Sequence, residues 1–162
     1  MKNKTFRLLG LSGVFAFTLA IGMTSCKKDK DSTPGNQVSA TIGSTTFTSS
    51  GVTGLSASGY INIVAYQPKS QDTSFIEFYL PDTATVNSKY RIEDGLAEYS
   101  YFNFKQTFDY GSNSRSHGII TFTTVDKTNK RIAGNFSGVL YQSSSDSVVV
   151  KDGKFNTTYI AF

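Results

Sequence analysis

The sequence is poor in the residue types that carry most enzyme chemistry. It has one cysteine, one histidine and no tryptophan in 162 residues. A single cysteine excludes an internal disulfide framework. One histidine and one cysteine cannot supply the three or four ligands of a zinc site, so no metal is expected. Residues spaced to cradle a phosphate are also missing, and no cofactor is expected. The formal charge of +4 suggests a polyanion partner. That excess sits at the N-terminus, because residues 32–162 hold ten basic and ten acidic residues. With no net field to steer a polyanion, nucleic acid is not expected as a partner. Helical periodicity is absent too. Beyond residue 25 no stretch repeats its apolar residues every 3.6 positions, which argues against helical and mixed helix–sheet architectures.

What is present at the N-terminus has a definite order. Lys2, Lys4 and Arg7 precede an uncharged, mostly apolar run from Leu8 to Met23, and the small residues Thr24 and Ser25 precede Cys26. Charge, apolar run and small-residue site form the pattern of a secretory signal over residues 1–25. The run is interrupted by glycines and hydroxyl residues and falls short of the roughly 20 apolar residues a spanning helix needs. Small residues ending in cysteine resemble a bacterial lipobox. The resemblance implies a diacylglycerol thioether on Cys26, cleavage just before it, and attachment of the mature chain to a membrane. Residues 27–36, KKDKDSTPGN, have nothing apolar to bury and read as a flexible tether. Charge after the cysteine resembles export signals of Bacteroidetes surface lipoproteins, although here lysines interrupt the acids. The expected address is the outer membrane, with cell-surface and periplasm-facing positions both open.

Residues 37–162 make one domain of ordinary size, rich in Ser, Thr, Gly, Tyr and Phe. Alternation of apolar and polar residues predicts strands at QVSATI (37–42), TTFT (45–48), YINIVAYQ (60–67), SFIEFYL (74–80) and SKYRI (88–92). Further strands are expected at EYSYFNFKQTF (98–108), read as one run, GIITFTTVD (118–126) and RIAGNFSGVLYQ (131–142). Asp152-Gly153 between VVVK and KFNT is the strongest hairpin signal in the chain. The closing Tyr159-Ile160-Ala161-Phe162 is expected to pack into the core. Nine or ten short strands at this spacing predict an all-β fold, an antiparallel β-sandwich.

In the C-terminal third, Lys130, Arg131, Ile132, Gly134 and Phe136 form a K-R-I-x-G-x-F strand, and Asp152, Gly153 and Phe155 a D-G-x-F hairpin that closes the domain. Together they resemble a family of small Bacteroidetes lipoproteins with a β-sandwich domain of unknown function. The resemblance implies fold and address. It carries no site.

The chemical candidates are few. Asp109, Ser114, Ser116 and His117 hint at a hydrolytic triad, yet all fall in one Ser-rich loop without the strained turn that exposes a nucleophile. A small hydrolase is therefore the least favoured alternative, and no catalytic residue is expected. Glu93, Asp94 and Glu98 are neighbours at a turn and do not face each other across a cleft as glycosidase carboxylates do. The Asp126–Asn129 and Asp109–Asn113 segments lack the twelve-residue calcium-loop pattern. The aromatic strand is the better lead. Tyr99, Tyr101 and Asn103 share one face, and with Lys105 they would form a sugar-stacking platform if exposed. Cross-strand packing of the same tyrosines is the alternative. The expected function is thus a non-enzymatic binding or structural module, with a glycan or an envelope protein as partner.

Overall fold

The computed structural model describes residues 35–68, 73–103, 106–108 and 115–162. Cys26, the tether up to residue 34, Lys105 and residues 109–114 lie outside the described residues.

In chain order the strands are β1 (Gln37–Ile42), β2 (Thr45–Thr48), β3 (Gly51–Ala57), β4 (Tyr60–Pro68), β5 (Thr73–Pro81), β6 (Lys89–Arg91), β7 (Glu98–Asn103), β8 (Gln106–Phe108), β9 (His117–Asp126), β10 (Arg131–Tyr141), β11 (Ser147–Thr158) and β12 (Ile160–Ala161). A 3₁₀ turn, Ile92–Asp94, follows β6. The strands form two six-stranded sheets. The first runs β2-β1-β11-β10-β9-β6 and the second β12-β3-β4-β5-β7-β8. All pairings are antiparallel except β12 with β3. The expected sandwich is the observed fold.

Alternation builds the core. Ile61, Ile63 and Ala65 on β4, and Ile76, Phe78 and Leu80 on β5, are buried from the second sheet. Val38, Ile120, Phe122, Ile132, Phe136 and Phe155 meet them from the first. Phe78 is the central rivet. Its ring lies 4.9 Å from Phe136 in an edge-on contact, 5.4 Å from Phe155 and 6.0 Å from Tyr99. Each fully buried large apolar side chain contributes about 1.5–3 kcal/mol. The sheets approach so closely over Gly54 that a Cβ there would lie 2.7 Å from the Thr158 carbonyl oxygen and 2.9 Å from the Tyr159 Cβ. That is where the chain leaves β11 and crosses to β12.

Several expectations are corrected. Asp152-Gly153 is not a hairpin. It lies inside β11, which runs unbroken from Ser147 to Thr158 between β1 and β10. Asp152 adopts φ 53°, and the register with both neighbours shifts there. The pair is therefore a β-bulge. Its cause is parity. Val150 and Phe155 are both buried, yet they are five positions apart and would face opposite sides of a regular strand. One extra residue returns both to the core. A second register shift, in β9 opposite Ala133–Gly134, turns Val125 inward against the core, where simple alternation points it outward.

The run 98–108 is likewise not one strand. It folds back as β7 and β8, with Asn103 opposite Gln106. β3 (GVTGLSA) has little alternation and was not expected. At the C-terminus only Tyr159 is buried. Ile160 is 63% exposed and Phe162 94% exposed, because β12 adds at the sheet edge by backbone pairing alone.

Candidate functional site

The structure turns the expected platform tyrosines toward the core. Tyr99 pairs with Phe78, and Tyr101 with Ile76, across β5 and β7. Direct partners in an antiparallel pair share a face. Both tyrosines therefore lie on the core side, which overturns the sugar platform. Tyr99 is only 1% exposed, stacks edge-on against Phe136 at 5.0 Å, and has a hydroxyl with no hydrogen-bond partner. Burial pushes its phenol well above the ordinary tyrosine value. Tyr101 is half-buried, with its hydroxyl 3.5 Å from Ser74 Oγ. Asn103 is half-buried at the β7–β8 hairpin. Cys26 and Lys105 lie outside the described residues.

The opposite face of the same sheet carries a different aromatic set. On β4, Tyr60, Asn62, Val64 and Tyr66 alternate with the buried residues. On β5, Phe75, Glu77 and Tyr79 do the same. The register aligns Tyr66 with Phe75 and Phe75 with Phe102, making an aromatic row across β4, β5 and β7. A second row runs Leu55, Asn62, Tyr79 and Glu98. Tyr60, Tyr66, Phe75 and Tyr79 are between 38% and 47% exposed, so each offers much of its ring to solvent.

At one end of this face is a cleft of about 220 Å³ lined by Tyr60, Tyr79, Gly95, Leu96 and Glu98. Gly95 ends the 3₁₀ turn in the left-handed region, φ 67°, and its N–H donates to the Ile92 carbonyl oxygen at 3.1 Å. That reversal brings the exposed Leu96 to the cleft wall. Beside the cleft Asn62 Nδ2 donates to Glu77 Oε1 at 2.8 Å. The Glu77 carboxylate, as hydrogen-bond acceptor and then as a neighbouring charge, holds the Tyr79 phenol above its ordinary value. Two aromatic rings beside carboxylate and amide groups suit a ligand with an apolar face and a hydroxylated rim.

The other chemical candidates have structural partners. Glu93 Oε1 accepts from Arg91 Nε at 2.7 Å and Oε2 from the Gly118 N–H at 3.1 Å, pinning the 3₁₀ turn to β9. Asp126 uses both carboxylate oxygens to close its turn, on the Asn129 N–H at 2.9 Å and Asn129 Nδ2 at 2.6 Å. Ser116 is buried, with Oγ accepting from the Tyr141 N–H at 2.9 Å. His117 is exposed, with Nδ1 2.9 Å from the Arg115 carbonyl oxygen. Asp109 and Ser114 lie outside the described residues.

The outward tyrosines had a signal in the sequence. In YINIVAYQ and SFIEFYL the aliphatic residues of one parity claim the core, leaving Tyr60, Tyr66, Phe75 and Tyr79 for solvent. Their assembly into rows depends on strand register. Comparisons of this chain with protein-family models, with curated proteins and with solved structures gave no match in any of the three.

Proposed function

We propose that this chain is a lipid-anchored, non-enzymatic binding module of the bacterial outer envelope, held by a lipid on Cys26 and presenting the outer face of the second sheet to its partner. The observation that carries the binding part is the exposed aromatic face around Tyr60, Tyr66, Phe75 and Tyr79. Large aromatic rings left exposed on a sheet whose other face is already well packed support an interaction role for this face. The anchor rests on the lipobox-like sequence before Cys26 and on the resemblance of the C-terminal third to small Bacteroidetes lipoproteins.

The partner favoured by the cleft is a glycan. Tyr60 and Tyr79 supply stacking surfaces, while Asn62, Glu77 and Glu98 supply polar groups for hydroxyls. An envelope protein docking on the same aromatic rows is the second reading. A panel of polysaccharides tested by affinity electrophoresis, wild type against a Tyr60→Ala/Tyr79→Ala double variant, separates the two. Retarded wild type and unretarded variant support the glycan. No retardation, with crosslinks from this face to an envelope protein, supports the second reading. Mass spectrometry of the N-terminal peptide from membranes tests the lipid on Cys26, and protease shaving of intact cells separates surface display from a periplasm-facing position.

A further inference from the structure

The outer faces of the two sheets differ in charge. Every lysine and arginine within the described strands belongs to the first sheet: Lys89 and Arg91 on β6, Arg131 on β10, Lys151 and Lys154 on β11. The strands of the second sheet contain Glu77 and Glu98 and no basic residue. Within the first sheet Arg91 is neutralised by Glu93, and Arg131 sits opposite Asp126. The exposed Lys89, Lys151 and Lys154 remain, with Asp152 the one acid among them. They share a surface. Lys89 pairs with Thr121, Thr121 with Asn135, and Asn135 with Lys154. Two adjoining hollows of about 470 and 270 Å³ meet at Asn135 and Lys154.

The chain enters the domain on this side. Gly35 and Gln37 line the smaller hollow together with Lys154. Asn36 fastens the entry, its Oδ1 accepting from the Thr158 N–H at 3.0 Å. The described chain therefore begins, at Gly35, beside the cationic sheet. The nine residue steps of the segment from Cys26 to Gly35 reach at most about 30 Å. The segment itself adds Lys27, Lys28 and Lys30 against Asp29 and Asp31.

We propose that the outer face of the first sheet rests on an anionic lipid surface, as a second contact beside the lipid on Cys26, and that the aromatic face of the second sheet therefore points away from the bilayer. The proposal rests on the lipid-anchor reading above. The short leash keeps the domain close to the surface, and the one-sided charge chooses which face turns toward it. Each lysine near an anionic membrane strengthens attachment about five-fold. Even weak attraction of this kind orients a domain already held at high effective concentration.

The chain from Cys26 onward carries the complete core, Val38 to Tyr159, and has a single thiol. Maleimide-lipid coupling at Cys26 fixes it to vesicles of phosphatidylcholine with or without phosphatidylglycerol. Lysine acetylation and tyrosine nitration are then read by mass spectrometry. The expected result is several-fold protection of Lys89, Lys151 and Lys154 on phosphatidylglycerol vesicles alone. High salt should reverse it, and Tyr60 and Tyr79 should stay reactive. A Lys151→Gln/Lys154→Gln variant should lose most of the protection at Lys89. Equal labelling on both vesicles, or protection of the tyrosines instead, overturns the proposal. So does lysine protection by a soluble acidic polysaccharide without protection by the vesicles. Because the coupling is chemical, these outcomes do not depend on acylation of Cys26 in the cell, which the N-terminal peptide tests separately.

Discussion

The two sheets are alike inside and opposite outside. Each sends aliphatic and aromatic residues inward to the same core, with Phe78 from one sheet meeting Phe136 and Phe155 from the other. Outward, the first sheet shows Thr121, Asn135, Ser137 and lysines with the aliphatic Ile119 and Val149, while the second shows the aromatic Tyr60, Tyr66, Phe75 and Tyr79. Folding demands the inner faces, because a sandwich has no other way to bury apolar area. It leaves the outer faces far less constrained. The outer faces are therefore where the two sheets are free to differ.

The comparison breaks most sharply at two phenylalanines of one strand. Phe78→Ala removes the ring that joins the sheets and should cost about 3–5 kcal/mol, seen as a large fall in the urea midpoint. Phe75→Ala, three residues away on the outer face, loses cross-strand contact with Tyr66 and Phe102 and should cost roughly 1 kcal/mol or less. If the two costs are equal, the aromatic face is a structural feature and its role as a binding surface loses its main support.

A smaller effect concerns the join between β6 and β9. Glu93 is held below the usual carboxylate range, first by a hydrogen bond from its own backbone N–H, with further lowering by the Gly118 N–H and Arg91 against an opposing push from burial. A depressed carboxylate contributes stability that is fully present above its unfolded value, about 4.3. That contribution is lost as pH falls through the lower folded value. Glu93→Gln should therefore lower stability by about 1 kcal/mol at pH 7 and by much less near pH 3. Urea titrations at both pH values check this.

The smallest effect sharpens the contrast between inward and outward tyrosines. Tyr99→Phe removes a buried hydroxyl that has no partner. It should leave stability unchanged or raise it by up to about 1 kcal/mol. Thermal melts measure the change, and a loss above 1 kcal/mol would mean that the hydroxyl has a partner in solution.

Much of the fold was legible because aliphatic residues have one destination. Ile61, Ile63, Ile76, Phe78 and Leu80 alternate cleanly and are buried as their pattern requires. Tyrosine has two destinations, since its ring suits the core and its hydroxyl suits water. In EYSYFN both faces are aromatic, so local pattern could not choose between them. The pairing of Phe78 with Tyr99 chose. The exposed aromatic rings are instead those of β4 and β5, whose sequence signal was clear and whose assembly was not.

Asp152-Gly153 teaches the same division. The dipeptide determines a left-handed backbone position, and Asp152 has one. Whether the chain then reverses or merely bulges depends on the strands alongside, and β1 and β10 hold β11 straight through the site. By itself the sequence determined the strand-forming alternation, the single core and the lipobox-like segment, because each follows from residue type and local spacing. Register, the facing of ambiguous aromatics and the segregation of the lysines of the described strands from the outward tyrosines were decided only by tertiary structure. Those properties arise when residues far apart in sequence are paired, and no local preference encodes which partner a strand will meet.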